Sequence, residues 1–250
     1  MKDAVPFSDL EASRVIDVWV IDLEASPVPT PGLDGLLSPV ERDRARRYIF
    51  PTDAYRFRLC RAMLRAGLGW LLRKSPQAIE FKTGDHGKPH LSESSDVRFN
   101  VSHSSRLALI AFSRVGDVGV DVEEVREDIE ALEIASANFS ETEAARISAA
   151  TTVEDRARLF VRIWTRKEAI MKAAGIGIQD GLGTFDVSSE PPGLVCLDWT
   201  PAKVASTRWL VQELDLPRGY AGAVAAPVGP WTVRQWMIQC QDVLLQLAGR

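Results

Sequence analysis

Between Phe160 and Gly175 the chain reads FVRIWTRKEAIMKAAG, and no other stretch limits the fold as strongly. Ala157, Val161, Trp164, Met171 and Gly175 recur at spacings of three and four, which draws one apolar stripe down a helix. Glu168 falls in that stripe, four residues after Trp164, and Lys172 follows four residues later. The inward face of the helix therefore carries a carboxylate. An ionised carboxylate on a core-facing line is costly unless a cation or a metal pairs it. The residues alone leave two readings open. One is a Glu168–Lys172 pair on a solvated edge, worth about 0.3 kcal/mol; the other is a carboxylate kept inside for chemistry.

Bulk properties bound the class. A chain of 250 residues can bury a real core, as one domain or as two of about 120 residues. Apolar content of 46% and charged content of 26% are those of a soluble globular protein. No run approaches the roughly 18 apolar residues of a membrane span. The acidic start, MKDAVPFSDLEASR, lacks an apolar signal core, so the expected location is the cytoplasm. Cys60, Cys196 and Cys240 form no zinc or redox motif, which suggests reduced thiols. The net charge of −4 hides two poles. Residues 41–65 hold eight Arg against three acids, whereas residues 117–143 hold ten acids against one Arg. Such segregation suits a ligand with an anionic end held by arginines and a metal-bridged portion held by carboxylates. Two solvated helix faces would give the same pattern.

Along the chain, residues 15–23 (VIDVWVIDL) are strand-like and rich in β-branched side chains. A Pro/Gly-rich loop covers 26–35. Ser38-Pro39 then opens a helix, with serine as cap and proline in the first turn. Arg42, Arg44, Arg46 and Arg47 lie on it. Pro51 ends that helix, and Thr52-Asp53 starts another that runs to about Arg73, with Arg56, Arg58, Arg61 and Arg65 along it. Short strands are expected at 79–82, around Phe99, at 107–112 and at 118–122. A helix is expected over 128–138, and Ser140-Glu141-Thr142-Glu143 is a capping box for the next. Thr152 to Asp155 caps the helix that holds Glu168. Strands are expected at 184–187, 194–199, 209–214, 220–226 and 231–238, and a short helix at 240–247. No internal repeat is visible in the sequence, although both halves share a helix-plus-strands pattern.

Three local patterns carry chemistry. Gly84 to Leu91 (GDHGKPHL) lacks the spacing and the Ser or Thr of a phosphate loop, but Pro89 stiffens it and presents Lys88 to an anion. Ser102, His103 and Ser104 stand at the tip of a strand, which favours a phosphate or water contact for His103 over a core role. Asp121 and Glu123 are i and i+2 of a strand, so they share one face while Val120 and Val122 share the other. Two carboxylates so placed form half of an oxygen-ligand site for Mg²⁺, or a solvated strand end.

In order, these patterns are Gly87-Lys88-Pro89 followed by Phe99-Asn100-Val101-Ser102-His103-Ser104; then Gly119-Val120-Asp121-Val122-Glu123; then Trp164-Thr165-Arg166-Lys167-Glu168-Ala169-Ile170-Met171-Lys172. Together they resemble the 4′-phosphopantetheinyl transferases of the surfactin-synthetase-activating (Sfp) type. The last two match the family patterns G-[VI]-D-[VI]-E and W-x-x-K-E-A-x-x-K without a gap. The likeness covers roughly residues 38–226.

The resemblance implies an α+β fold of two similar α/β halves around a pseudo-twofold axis, with the active site in the cleft between them. Residues 1–115 would form the N-terminal half, with the CoA nucleotide and 3′-phosphate contacts. Residues 116–228 would form the C-terminal half, with metal, catalytic residues and carrier docking, and 229–250 an extension. The implied reaction is Mg²⁺-dependent transfer of 4′-phosphopantetheine from CoA to a serine of an apo acyl or peptidyl carrier protein, in fatty acid, polyketide or nonribosomal peptide biosynthesis. By the same resemblance, Arg44, Arg47, Arg56, Lys88, Pro89, Ser102, His103 and Lys172 match CoA contacts, and Asp121, Glu123 and Glu168 match metal ligands. Glu168 is the favoured base. Glu143 is second because its cap role already accounts for it, and Lys172 and His103 are suited to stabilise charge. The Gly175–Gly183 loop, with Ile176, Ile178 and Leu182, is the expected docking surface. A monomer is expected, with neither nucleic acid nor membrane as partner. Glu41 and Phe57 depart from the family pattern, which has a lysine and a small hydroxyl residue there. Two other functions use the same residues: a Mg²⁺-dependent nucleotide phosphohydrolase, or a non-enzymatic nucleotide- or RNA-binding module built on the arginine helices. The acidic overall balance counts against the second.

Overall fold

The computed structural model of the protein describes residues 14–25, 28–84, 87–177, 181–188, 194–198 and 208–248. Strand β1 (Val15–Asp22) leads through α1 (Thr30–Asp34), α2 (Pro39–Arg46) and α3 (Pro51–Leu72) to a two-stranded ribbon of β2 (Phe81–Thr83) and β3 (Pro89–Leu91). Next come β4 (Arg98–Ser104), β5 (Leu107–Ser113) and β6 (Gly119–Glu124), then α4 (Ala131–Asn138), α5 (Glu141–Ala149) and α6 (Val153–Ala174). The chain closes with β7 (Leu194–Asp198), β8 (Arg208–Glu213), β9 (Tyr220–Pro227), β10 (Thr232–Met237) and α7 (Cys240–Ala248). The expected loop at 26–35 thus contains a short helix, and the expected turn at 84–91 contains a strand. The expected strand at 184–187 is instead a 3₁₀ turn, Leu182–Thr184, followed by irregular backbone. Among the described residues no helix is long and apolar enough to cross a membrane.

Two four-stranded sheets organise the molecule, in the orders β10-β1-β5-β4 and β6-β9-β8-β7. The pairings are antiparallel except β1 with β10, which is parallel. The described residues of the expected extension pack against the first sheet: β10 extends it, and Trp236, Ile238, Cys240 and Val243 join its core.

The burial of β1, β5, β6 and β9 follows their period of two. Ile16, Val18 and Val20 of β1, with Leu107, Leu109 and Ala111 of β5, face Val120 and Val122 of β6 and Val224 and Ala226 of β9. Trp19 and Ile21 of β1 turn the other way, into the core built on Leu59, Met63 and Leu68 of α3. The second outer core lies under α4, α5 and α6, where Phe160, Ile163 and Ile170 meet Val211 and Ala223. β1 and β5 are thus apolar on both faces because each face has a different partner layer. Asp17 interrupts this pattern and is neutralised by Arg234 Nε at 2.6 Å and Trp236 Nε1 at 2.7 Å.

Helix α6 is capped by Thr152, which accepts from Asp155 N, and is stopped by Gly175 in the left-handed region at φ 71°. Its buried surface is wider than the stripe the sequence outlines. Every residue from Thr165 to Met171 is buried, because α6 packs on β6 and β9 on one side and on α4 and α5 on another. Gly119 sets its approach to β6: a Cβ there would stand 2.0 Å from Ala169 O and 2.4 Å from Ala173 N.

Gly119→Ala is expected to push α6 off β6 and lower the free energy of unfolding by about 2–3 kcal/mol. Urea unfolding monitored by tryptophan fluorescence reads this directly.

Candidate active site

The edges of the two sheets meet where β4 runs beside β6. No backbone ladder joins them. Side chains from alternate residues of β4 do so instead. Val120 N–H donates to Asn100 Oδ1 at 2.9 Å, Val122 N–H to Ser102 Oγ at 3.4 Å and Glu124 N–H to Ser104 Oγ at 3.1 Å. The serine hydroxyls then donate onward to the acids of β6: Ser102 to Asp121 Oδ1 at 2.8 Å and Ser104 to Glu123 Oε2 at 2.7 Å. Asp121 and Glu123 occupy the face of β6 opposite Val120 and Val122, toward α6.

From α6, Lys172 reaches the same point, with Nζ 2.6 Å from Asp121 Oδ1 and 3.2 Å from Ser102 Oγ. The lysine expected to partner Glu168 along the helix therefore bonds across to Asp121. Burial nevertheless raises the Asp121 pKa, outweighing the ion pair, and burial raises that of Glu123 as well. Glu168 is 6% exposed, and its pKa is pushed up to about 7, first by burial and then by Asp121 and Glu123, with Lys172 opposing. Asp121 Oδ2 and Glu168 Oε1 are buried without a hydrogen-bond partner among the described residues. Buried carboxylate oxygens left in this state are electron-pair donors facing no donor hydrogen, which suits a hard cation. Among the described residues no group of three or more His, Cys, Asp or Glu side chains is arranged so that it could hold a metal ion as it stands. Lys172 sits on one of the oxygens that such a site would need.

Beside this seam lies a cavity of about 820 Å³ whose walls include Arg44, Arg56, Arg61, Phe57, Gly87, Pro89, His103 and Ser104. His103 faces cations: its pKa is lowered by burial, then by Lys172 and Arg56, with Asp53 opposing. Most of the arginine pole is paired: Arg56 to Glu24, Arg58 to Asp34, and Arg61 and Arg65 to Glu41. Glu41 also closes a capping box with Ser38. Its departure from the family pattern thus has a structural task, holding two arginines and a helix start. Phe57 is likewise used, since the Arg44 guanidinium lies 5.1 Å from its ring centre and that of Arg61 5.8 Å.

Three other expected residues lie elsewhere. Arg47 is exposed and is not among the residues lining this cavity. The Lys88 ammonium binds backbone carbonyls at 118, 172 and 173, although its neighbours Gly87 and Pro89 do line the cavity. Glu143 is fully buried: Oε1 accepts from Val187 N–H at 2.8 Å, and Oε2 from Ser140 N–H at 3.0 Å and Lys167 Nζ at 2.7 Å. Leu182, expected on a docking loop, is buried in the core under α6, and Ile178 lies outside the described residues. The sequence reading missed Asn100 as a seam residue, although its i, i+2 spacing to Ser102 and Ser104 was in plain view.

Comparison with known proteins places the chain in a family. A family profile described as the 4′-phosphopantetheinyl transferase superfamily matches residues 117–225, and another described as 4′-phosphopantetheinyl transferase, N-terminal, matches residues 33–114. The chain is 31% identical over 227 residues to the 4′-phosphopantetheinyl transferase HetI of Nostoc, covering 90% of this chain and 92% of that one. It is 38% identical over 167 residues to a putative 4′-phosphopantetheinyl transferase of Synechocystis, covering 66% of this chain and 67% of that one. Over 190 residues it is 28% identical to the 4′-phosphopantetheinyl transferase Sfp of Bacillus subtilis, covering 76% of this chain and 82% of that one.

The raised pKa of Glu168 has a consequence for stability. Folding moves this group from an ordinary 4.5 to about 7, so the stability it permits is complete below pH 4.5 and is lost as pH rises through 7. Glu168→Gln removes that dependence. In metal-free buffer the variant is expected to match the native protein near pH 4.5 and to exceed it by about 2 kcal/mol at pH 8. Urea midpoints at the two pH values test this; equal midpoints at pH 8 would show that Glu168 is already compensated.

Proposed function

The chain belongs to the 4′-phosphopantetheinyl transferase superfamily, and from that premise we propose that it moves the 4′-phosphopantetheine group of CoA onto a serine of an apo acyl or peptidyl carrier protein, releasing 3′,5′-ADP. The observation that carries this reading is the pair of partnerless carboxylate oxygens on Asp121 and Glu168, beside one lysine and at the margin of an arginine-walled cavity.

Residues 1–115 form a nucleotide half and residues 116–228 a catalytic half, with 229–250 completing the first. The two are related as a pseudo-dimer, and their cleft is the β4–β6 seam. The cavity takes the adenosine 3′,5′-bisphosphate end of CoA, with Arg44, Arg56 and Arg61 as cations and Gly87 and Pro89 as wall. Asp121, Glu123 and Glu168 would hold Mg²⁺, which when bound would neutralise charge on the diphosphate. Lys172 turns from Asp121 to a phosphate oxygen, which frees Oδ1. His103 donates a hydrogen bond to the same diphosphate, so both groups counter charge as it shifts to the leaving group. The serine oxygen bonds to the β-phosphorus of CoA while the bond from that phosphorus to the 3′,5′-ADP oxygen breaks. The serine proton passes to Glu168, directly or through water. Glu143 stays in its ion pair with Lys167 and holds α5 against α6. The protein acts as a monomer, since a single chain supplies both sides of the cleft.

Incubated with CoA, Mg²⁺ and an apo carrier protein, the enzyme is expected to add about 340 Da to the carrier, the mass of the transferred group. A phosphohydrolase would leave the carrier mass unchanged. In the same assay Glu168→Gln is expected to lose about 10³-fold in kcat while retaining CoA affinity within about threefold. Asp121→Ala is expected to lose activity that raised Mg²⁺ partly restores, and an unaltered Mg²⁺ dependence would remove it from the ligand set.

A further inference from the structure

We propose that Lys88 is a positioning residue for this transfer: its ammonium fastens the loop beside the arginine-walled cavity to the last turn of α6, so that a nucleotide in the cavity sets the position of Lys172 and Glu168. The inference rests on the transferase reading above and adds a coupling between donor binding and the reacting groups.

The geometry is unusual for a lysine on a loop. Lys88 Nζ lies 2.6 Å from Lys172 O, 3.1 Å from Val118 O and 3.5 Å from Ala173 O. An ammonium has three N–H donors, and here each has a carbonyl within reach. Two of the acceptors are terminal carbonyls of α6, at the negative end of its dipole; Lys172 O also accepts from the capping Gly175 N–H at 3.3 Å. Val118 O, the third acceptor, directly precedes Gly119, where only a glycine permits the contact with α6. Burial lowers the Lys88 pKa to about 8, so the ammonium has given up water for these contacts.

The other end of Lys88 is also fixed. Its carbonyl accepts from Gly84 N–H at 3.0 Å, and Pro89 pairs with Thr83 in the β2–β3 ribbon. Thr83, Gly87 and Pro89 all line the cavity. Residues on either side of Lys88 therefore border the ligand space while the Lys88 side chain grips α6. Lys172 receives the grip on its carbonyl oxygen and reaches Asp121 with its ammonium. A small displacement of the loop is transmitted to the site along one side chain, through contacts that a methyl-terminated side chain would not make.

The test uses the full-length protein and adenosine 3′,5′-bisphosphate as probe. In the native protein, saturating bisphosphate is expected to slow amide exchange across residues 171–176 by about fivefold. Lys88→Met, which keeps the stem and removes the charge, is expected to bind bisphosphate within about threefold of the native affinity yet lose this slowing. With CoA and an apo carrier, kcat for Lys88→Met is expected to fall by about 10–100-fold with KM for CoA changed less than about threefold, and Lys88→Arg to recover at least half of the logarithmic loss. A purely structural staple would lower stability without this split and without rescue. Retention of bisphosphate-dependent slowing or of native kcat in Lys88→Met overturns the inference. Should that variant fail to fold, absence of any slowing at 171–176 in the native protein overturns it equally. Native protein that binds bisphosphate and shows the slowing, yet labels no carrier, would instead overturn the transferase reading and leave the coupling standing.

Discussion

Three short polar side chains hold the two sheets edge to edge. Asn100, Ser102 and Ser104 replace the carbonyls that a neighbouring strand would have offered to β6, and each accepts one of its amides. A continuous ladder would have satisfied the same amides, but it would have merged the sheets and left no room for a ligand to enter between them. A purely apolar seam would have stranded the amides, at about 1–3 kcal/mol apiece. Hydroxyls solve both problems because they accept and donate at once. The same Ser102 and Ser104 that accept backbone N–H groups donate their own O–H hydrogen bonds to Asp121 and Glu123. The position of the acids is therefore a by-product of how the halves are joined.

The cost of this arrangement falls on the carboxylates. Asp121, Glu123 and Glu168 all have raised pKa values, with burial the largest cause for each. One lysine cannot satisfy three acids, and two of the carboxylate oxygens have no partner among the described residues. Elsewhere the same chain pairs its buried charges thoroughly: Glu143 with Lys167, Asp17 with Arg234 and Trp236, Glu41 with Arg65. The contrast lies within one molecule, so it is not a general laxity in its packing. Among the described residues, the buried carboxylate oxygens without a partner lie where β4, β6 and α6 converge.

Local chemistry was legible from the sequence and long-range geometry was not. The alternation that puts Asp121 and Glu123 opposite Val120 and Val122 is a property of any strand, and the capping boxes at Ser38 and Ser140 are built from residues three apart. The family patterns supplied the order of the motifs. What a chain-local reading could not supply is the direction a side chain takes once neighbours arrive. Lys172 is four residues from Glu168, yet its ammonium lies on Asp121, 51 residues away. Lys88 was placed on an anion because it sits on a stiff loop, but the nearest dense negative potential is the end of a helix 84 residues on. The stripe on α6 was drawn too narrow for a related reason. Periodicity reports one partner layer, whereas this helix has a sheet on one side and helices on another. Leu182 looked like a sticky loop residue for want of any local sign that the core under α6 would enclose it.

Strand β10 lies parallel to β1, and the Asp17–Arg234 contact between them spans 217 positions. A ribosome therefore delivers β1 long before the strand that covers its flank. Throughout synthesis of the intervening chain, the amides and carbonyls on that side of β1 await their native partner, beside an acid whose countercharge has not yet been made. The first half of the protein is thus first in the chain but last to be sealed. Its maturation is tied to completion of the second half, and fragments cut between the halves would carry an open, β-branched border prone to self-association.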